Sequence, residues 1–129
     1  MTNPVSIVHK AVGYVVVEKA SGFLSVPGKG EHKQDCVIAR VREALPEATG
    51  PMIVHRLDMD TSGLMVVALD EGTQRELSRQ FEQREVEKAY VALVSGVPVL
   101  EEGLIDVPMR TDIDNRPRQI VDFIHSFIP

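Results

Sequence analysis

The strongest constraint on the fold is a junction between the polar segment VHRLDMDTSG, residues 54–63, and the apolar run LMVVAL, residues 64–69. A continuous apolar run of this length, bounded by turn residues, is typical of a buried strand. Polar groups next to a buried strand cost free energy because they lose their contacts with water, so they are expected to be hydrogen-bonded or to serve the function of the protein. We therefore expect the chemistry of this protein to lie in residues 54–63.

Length and composition limit the classes of protein to consider. The 129 residues, 43% hydrophobic and 26% charged, suit one soluble domain over residues 1–129 with a single core. The sequence has no secretory signal, and no apolar stretch approaches the roughly 20 residues of a membrane span, so we expect a cytoplasmic protein. The net charge of -5 argues against indiscriminate nucleic-acid binding, so an RNA-binding role requires a local basic surface.

The first half of the chain predicts one strand and one helix. Residues 13–19 (GYVVVEK) are typical of a strand, and the turn residues that follow end it. Residues 25–30 (SVPGKG) predict an exposed loop. A first helix is predicted to begin with Asp35 as its N-cap and to end at Pro46. The basic residues in and after the loop are Lys29, His32 and Lys33.

The second half predicts another helix and further strands. A helix should begin at Thr73, with Glu76 completing a capping box. Its inner face is marked by Leu77 and Phe81. Further strands are predicted at residues 86–94, 104–107 and 118–127, with a polar segment at residues 110–117. Together these elements predict an α+β fold, in which a mostly antiparallel mixed sheet is flanked by two short helices.

The aspartates of residues 54–63 allow two interpretations. Asp58 and Asp60 could shape a tight turn, because aspartate side chains bond neighbouring backbone amides. Alternatively, Asp58 is a nucleophile or general base kept ionised by the positive charge of Arg56, with Asp60 as its structural partner. The residue types alone leave these alternatives open. His55 is a third candidate, although a histidine before a buried strand is more often structural.

The sequence indicates neither a metal site nor a phosphate-binding loop. The four histidines show no close ligand spacing, and Cys36 has no second cysteine to complete a zinc site. The GKG segment at residues 28–30 is too short for a phosphate-binding loop of the GxxxxGK[ST] type. We therefore expect no metal and no nucleotide hydrolysis.

A second informative segment is FEQREVEKAY, residues 81–90, where a helix gives way to an extended segment. One interpretation is a solvated helix end followed by a core tyrosine. The other is an RNA-binding surface, because Tyr90 follows cations such as Lys88 and could stack on an unpaired base. Acidic neighbours dilute the basic face that could be formed by Arg75, Arg79, Arg84, Lys88, Arg110, Arg116 and Arg118.

Four segments resemble those of the RluA-type pseudouridine synthases, and they occur in the same order along the chain as in that family. HRLDMDTSG at residues 55–63 is similar to the signature of that family. YVVVEK, SG and SVPG within residues 14–28 resemble its opening strand and loop, residues 81–90 its second motif, and NRP at residues 115–117 a later one. The ordered set spans nearly the whole chain and is more specific than any single match. SVPG and NRP indicate the branch that acts on ribosomal and transfer RNA.

The resemblance implies an isomerase that detaches uracil from its ribose, turns the base and rejoins it through carbon five without a cofactor. Asp58 matches the catalytic aspartate, which attacks either the sugar or the base. Arg56 matches the residue that pairs with this carboxylate and fills the gap left by the flipped nucleotide. Tyr90 matches the aromatic residue that stacks on the uracil, and Lys88 and Arg116 lie in matching motifs as substrate-binding residues. Unpaired loops would be the least costly RNA substrates.

The chain departs from the family at its end. After IVDFIH at residues 120–125, similar proteins continue through a strand that contains Gly-Lys, whereas this sequence ends with SFIP. We expect the second half of the catalytic domain to be absent, with weak or no turnover by this chain alone. No appended RNA-binding domain is expected before the first strand. The oligomeric state is open.

Two alternatives come from other classes of protein. The first is an RNA-binding or interaction module that has the same fold and no catalysis. The second is a carboxylate-dependent hydrolase that uses Asp58 and His55. The hydrolase alternative predicts a deep small-molecule pocket at these two residues, whereas an RNA-modifying protein needs an open basic groove.

Overall fold

A computed structural model describes residues 3–116 and 118–122 of the chain. The chain divides into two compact units, Met1–Ala89 and Tyr90–Pro129. The first unit contains the elements β1 (Val5–Lys10), β2 (Tyr14–Lys19), α1 (Val37–Ala44), β3 (Gly63–Ala68) and α2 (Glu71–Glu82). The second contains β4 (Met109–Thr111) and β5 (Gln119–Val121). Short 3-10 helices lie at Glu31–Lys33 and Ile113–Asn115. A single domain over residues 1–129 stays a prediction.

The sheet of the first unit is antiparallel, with β2 between β1 and β3. Val17 of β2 lies opposite Ile7 of β1 and Met65 of β3. Successive residues of a strand face opposite sides, so Val15 and Val17 share the buried face. The apolar side of α1 completes this core with Val37, Ile38 and Val41. The predicted α+β class, with antiparallel strands and two helices, is confirmed.

Strand β1 has no counterpart among the predicted strands. Val5 is its buried residue, and the other five residues are exposed. This pattern arises because β1 lies at the edge of the sheet, with a bulge between Ile7 and His9. A strand that buries one residue lacks the apolar alternation by which strands are recognised in a sequence.

The first helix begins later than predicted. Helix α1 begins at Val37, with Cys36 as its N-cap, and the Cys36 Sγ accepts a hydrogen bond from the Ala39 amide at 3.5 Å. Asp35, the predicted N-cap, instead pairs with Arg40 at 2.7 Å. The prediction was wrong because the aspartate has a better partner in a charged side chain than in a helix amide.

The second helix begins earlier than predicted, at Glu71 rather than Thr73. Asp70 is the N-cap, and its carboxylate accepts hydrogen bonds from the Thr73 amide at 2.8 Å and the Thr73 hydroxyl at 2.9 Å. Glu76 pairs with Arg79 at 2.7 Å. The predicted capping box is therefore wrong, because an aspartate three residues before Thr73 satisfies the free amides at this end.

Two predicted strands are wrong, and a third is found within the described part of its range. Neither residues 86–94 nor residues 104–107 form a strand. Strands need a neighbour for their backbone hydrogen bonds, and these segments pair with no strand in the described part of the chain. The side chains of Val91 and Leu93 are accordingly exposed. The strand predicted at residues 118–127 is realised in β5, which pairs with β4. Pro117 and residues 123–129 lie outside the described residues.

Strand β3 is buried at Met65 and Val67 on one side, whereas its other side changes from an exposed Leu64 to a fully buried Ala68. Met65 is 1% exposed and Val67 is fully buried, whereas Leu64 is 62% exposed. The apolar run therefore indicated the strand correctly but overstated its burial. Within residues 3–116 and 118–122, no helix is long and apolar enough to cross a membrane.

Substitution of Met65 tests which side of β3 faces the core. Met65→Ala is expected to lower the free energy of unfolding by about 2–5 kcal/mol, because it removes buried methylene groups and leaves a cavity. Leu64→Ala, on the exposed side of the same strand, is the matched control and should change it by less than about 0.5 kcal/mol. Urea denaturation measures both values. Equal losses would contradict the burial of one side of β3.

Candidate active site

The segment with the candidate catalytic residues leaves the edge of β3 at Ile53, which forms a bridge with Val67. Further along, Arg56 and Asp58 are exposed on either side of Leu57, which is buried. Alternating exposure is typical of an extended segment, in which residues two apart lie on the same side. The buried residue anchors the segment, and the two charged residues face solvent.

Ser25 holds Leu57 through both of its backbone groups. The Ser25 hydroxyl accepts a hydrogen bond from the Leu57 amide at 3.1 Å and donates one to the Leu57 carbonyl. The expectation of an exposed loop at residues 25–30 is correct for Pro27 and Lys29 but wrong for Ser25, which is buried. Burial excludes competing water, so the serine replaces the partner strand that Leu57 lacks.

Lys19 holds the next residues of the segment. Its side chain is fully buried, with 0% of its surface exposed. The Lys19 ammonium donates to the carbonyls of Met59 at 2.9 Å, Ala20 at 3.0 Å and Phe23 at 2.6 Å. An ammonium has three N–H donors, so these three bonds use its full capacity. A buried charge is tolerated here because every donor has a partner.

The turn after β2 adds two more bonds to the same segment. The Gly22 amide donates to the Met59 carbonyl at 2.8 Å, and the Ser21 hydroxyl donates to the Asp60 carbonyl at 2.7 Å. With Ser25 and Lys19, these bonds fix the backbone on both sides of Asp58. The position of the Asp58 carboxylate is therefore set by the backbone rather than by contacts of its own side chain.

Two neighbouring aspartates act on the charge of Lys19. Burial lowers the pKa of Lys19, while the negative charges of Asp60 and Asp58 raise it again. The ammonium thus provides positive charge beneath the segment, and the aspartates lie above it at the surface. Opposite charges stabilise each other more strongly near a low-dielectric interior than in water.

The carboxylates of Asp58 and Asp60 have no hydrogen-bond or ion-pair partner among the described residues. The turn is closed by the backbone, since the Thr61 amide donates to the Asp58 carbonyl at 3.0 Å. The turn-shaping role of the two side chains therefore finds no support. The Arg56 guanidinium does not pair with Asp58 here either, and its predicted role as partner of that carboxylate stays a prediction.

His55 occupies a structural position, as its place before a strand indicated. Its Nε2 accepts a hydrogen bond from the Val66 amide at 3.0 Å. Its ring stacks on Phe81 of α2, with ring centres 4.3 Å apart and planes inclined by 15°. Burial lowers the pKa of His55, and the positive charge of Lys88 lowers it further. The imidazole is therefore held in its neutral form.

The three remaining candidates lie on the surface. Lys88 is exposed, and its ammonium lies 5.8 Å from the centre of the Phe81 ring, so it belongs to the same cluster as His55. Tyr90 is 64% exposed and belongs to the second unit, as does Arg116, which is exposed after the 3-10 helix. Tyr90 is thus not a core tyrosine, and the substrate-binding roles of Lys88, Tyr90 and Arg116 stay predictions.

Lys19 and Ser25 are missing from the candidates named by the sequence alone, although a signal for Lys19 exists. Val15, Val17 and Lys19 occupy alternate positions of β2 and share its buried face. A lysine that continues an apolar alternation must find partners in the interior. Ser25 begins the SVPG motif that resembles the family, but no periodic pattern marks its role, because its partner Leu57 is 32 residues away in the sequence.

The described part of the chain contains a cavity but no group of residues that could hold a metal ion. Within residues 3–116 and 118–122, no three residues among His, Cys, Asp and Glu are placed to hold a metal ion. A cavity of about 480 Å³ lies between β1 and α1, lined by residues that include Val5, Arg40 and Glu43. Neither Asp58 nor His55 lines it. This cavity is therefore not the deep pocket at these two residues that the hydrolase alternative needs.

Substitution of Lys19 tests the anchoring of the segment. Lys19→Met keeps most of the side-chain volume but removes all three donors, so three carbonyls lose their charged partner. We expect the free energy of unfolding to fall by about 2 kcal/mol or more. Lys29→Met, at an exposed lysine, is the matched control, with an expected change within about 0.5 kcal/mol. Thermal or urea denaturation measures both, and an unchanged stability in Lys19→Met would contradict the anchoring role.

This chain is similar in sequence to known RNA pseudouridine synthases. The sequence model of the RNA pseudouridylate synthase family matches residues 13–126. "Dual-specificity RNA pseudouridine synthase RluA" of Escherichia coli K12 is 51% identical over 107 residues, which are 83% of this chain and 48% of that protein. Proteins of the same name from Salmonella typhi and Pasteurella multocida are 48% and 43% identical over 89% and 95% of this chain.

The matched lengths differ between this chain and its relatives. The three relatives are covered over 48%, 51% and 55% of their own lengths, so the chain spans about half the length of the curated relatives that it matches. The family match, by contrast, covers most of this chain and includes the whole segment from Ile53 to β3. The chain therefore belongs to the RNA pseudouridylate synthase family.

Proposed function

We propose that this chain carries the catalytic aspartate of an RNA pseudouridine synthase, and that Asp58 is that residue. The observation that supports this proposal is an exposed carboxylate without a side-chain partner, on a backbone that is fixed on both sides. A nucleophile needs this combination, because its position must be precise while its reactive atoms stay free. The family to which the chain belongs gives the reaction class.

The proposed reaction is an isomerisation without a cofactor. The bond between ribose C1′ and uracil N1 breaks, the base turns, and a bond forms between C1′ and C5. The proton on C5 is released and N1 gains a proton, so the composition of the nucleotide does not change. Asp58 supports this sequence as a nucleophile, at either the sugar or the base. The exposed Arg56, two residues before it, would occupy the space that the flipped nucleotide leaves.

The proposed substrates are uridines in ribosomal and transfer RNA. Reaction at C1′ and C5 requires the base to leave its stack, which costs a few kcal/mol in a duplex and less in an unpaired loop. The exposed Tyr90 would recover part of this cost by stacking on the uracil, and Lys88 and Arg116 would contact phosphates. A local cluster of cations is needed for this, since the net charge is -5. A cytoplasmic location is part of the same proposal.

Asp58→Asn tests the catalytic assignment. Asparagine has nearly the same shape but cannot act as a nucleophile, so release of tritium from uracil C5 in labelled RNA should fall by at least about 10³-fold. Asp60→Asn is the matched control, because it removes a second exposed charge near Lys19 and should retain most of the activity. The protein should be in excess over RNA, so that weak turnover is detected.

The outcomes of this experiment separate the two leading functions. Release that is lost in Asp58→Asn and kept in Asp60→Asn supports the enzyme. RNA binding without release by the unmodified chain supports the RNA-binding module. Equal release by the unmodified chain and by Asp58→Asn would exclude Asp58 as the catalytic residue. Fluorescence anisotropy with the same RNA measures binding in each case.

Tyr90 provides a second test, which concerns the RNA. Tyr90→Leu should weaken binding to an RNA loop with an unpaired uridine by roughly 1–3 kcal/mol, because stacking is lost. Tyr90→Phe keeps the ring and should bind within about twofold of the unmodified chain. Anisotropy titrations at constant salt measure both affinities. Equal affinities for the leucine and phenylalanine variants would show that the ring does not stack on a base.

A further inference from the structure

The outer edge of β3 carries hydrogen bonds of two different kinds. β3 pairs with β2 on one side, and on its other side the described residues form no strand pairing beyond the bridge at Ile53. On that other side, the Ala68 amide donates to the Met52 carbonyl at 2.9 Å, which is an ordinary backbone bond. Two residues before it, the Val66 amide donates to His55 Nε2 at 3.0 Å. A side chain therefore takes over at the point where backbone pairing stops.

Replacement of a backbone acceptor by the His55 side chain lets the chain leave the sheet. If backbone pairing continued beyond Ile53, the following residues would remain alongside β3. The imidazole instead reaches back to Val66 and satisfies that amide, which would otherwise be left without a partner near the interior. The backbone is then free to diverge, and Arg56 follows immediately. His55 thus lies at the branch point between the sheet and the exposed residues of the candidate active site.

The imidazole is fixed in one protonation state and one orientation. A backbone amide can only donate, so Nε2 carries no proton and Nδ1 carries the proton of the neutral ring. The ring stacks on Phe81 at 4.3 Å, and Lys88 lies over the same aromatic ring at 5.8 Å. β3 and α2 contribute the uncharged residues Val66 and Phe81 to this cluster, and Lys88 is the charged group that acts on the ring.

A second contact holds the same segment to α2. The Gln74 side chain donates to the Ile53 carbonyl at 3.0 Å and to the Ser78 hydroxyl at 3.2 Å. Gln74 and Phe81 therefore contact the segment at residues two apart, Ile53 and His55. The helix thus supports the start of the segment, just as the turn after β2 supports its end.

We propose that His55 is a positioning residue for Asp58, whose neutral imidazole accepts the Val66 amide hydrogen and fixes the place where the catalytic segment leaves β3. This inference rests on the proposed function of Asp58. Protonation of His55 removes the acceptor and adds a positive charge beside Lys88. Acidification should therefore release the Val66 amide and misplace Asp58, so that activity falls on the acid side as His55 becomes protonated.

The sign of the effect on stability follows from the same geometry. The pKa of His55 is lower in the folded chain than the value near 6.5 of a free histidine. The unfolded chain therefore binds the proton more readily, and stability is complete above about pH 6.5. It decreases as the pH falls from there toward the lower pKa of the folded state, and levels off below that pKa.

Hydrogen exchange and ring NMR test the contact without any need for turnover. In the unmodified chain, the imidazole nitrogen shifts should show a proton on Nδ1 and none on Nε2. Exchange of the Val66 amide, corrected for its intrinsic pH dependence, should accelerate as His55 becomes protonated. A proton on Nε2, or an exchange rate of Val66 that ignores the titration of His55, would overturn the proposal.

Two variants separate the acceptor from the ring. His55→Phe keeps an aromatic ring against Phe81 but lacks the acceptor, so exchange of Val66 should accelerate roughly tenfold. In this variant kcat for tritium release should fall roughly tenfold with little change in KM, because the segment is displaced while RNA contacts elsewhere are kept. His55→Gln retains an acceptor at a similar reach, and should restore both protection of Val66 and kcat.

The pH profile distinguishes positioning from simple stabilisation. Glutamine does not titrate, so the acid limit of activity in His55→Gln should shift to lower pH, whereas an unchanged acid limit would contradict the proposal. Protection of Val66 that is equal in His55→Phe and the unmodified chain would also contradict it. Absence of tritium release from the unmodified chain would count against the proposed function, while the exchange and NMR results would still decide the contact.

Discussion

The candidate active site depends on one buried cation. Lys19 ends β2 inside the protein and donates all its hydrogen bonds to carbonyls, one of which belongs to Met59. Isolated carbonyls at the end of a sheet would normally face water or another strand. Here a single ammonium donates hydrogen bonds to carbonyls of two turns and so holds the two turns together. The position of Asp58 at the surface is a consequence of this buried contact next to it in the sequence.

Alternate residues of the segment have different roles: some fix the backbone, and the others leave their side chains free. Leu57 and Met59 are held by Ser25 and Lys19, whereas Arg56 and Asp58 make no side-chain hydrogen bond or ion pair within the part of the chain that the structure describes. The residues that fix the backbone and those available for chemistry are thus different ones. A carboxylate that also closed the turn could not react without opening it. Separation of the two tasks removes this conflict.

The sequence was sufficient for those features that depend on local pattern. The α+β class, the strands β2 and β3 and the existence of both helices follow from apolar periodicity and turn residues. The helix starts were wrong because several polar residues could cap, and the choice between Asp35 and Cys36 depends on the competing partner Arg40. The segment at residues 86–94 alternates like a strand, but a strand also requires a neighbour, which a local pattern cannot reveal.

The candidate site shows the same division. Asp58 and His55 were recognised as candidates from their place beside the predicted buried strand, and the structural character of His55 agrees with its contacts to Val66 and Phe81. Ser25 could not be recognised, because its hydroxyl acts on a residue 32 positions away. Long-range hydrogen bonds between a side chain and the backbone cannot be recognised from composition or periodicity.

The bond between Lys19 and Met59 has a kinetic consequence, because it joins residues 40 positions apart in the sequence. Closure of so long a loop costs entropy, which is recovered only after β2 has paired with β3. The segment with the candidate catalytic residues should therefore become ordered late in folding, after the strands have assembled. A partly folded intermediate would contain the sheet without the bond between Lys19 and Met59, so that ordering of residues 54–63 would lag behind recovery of secondary structure.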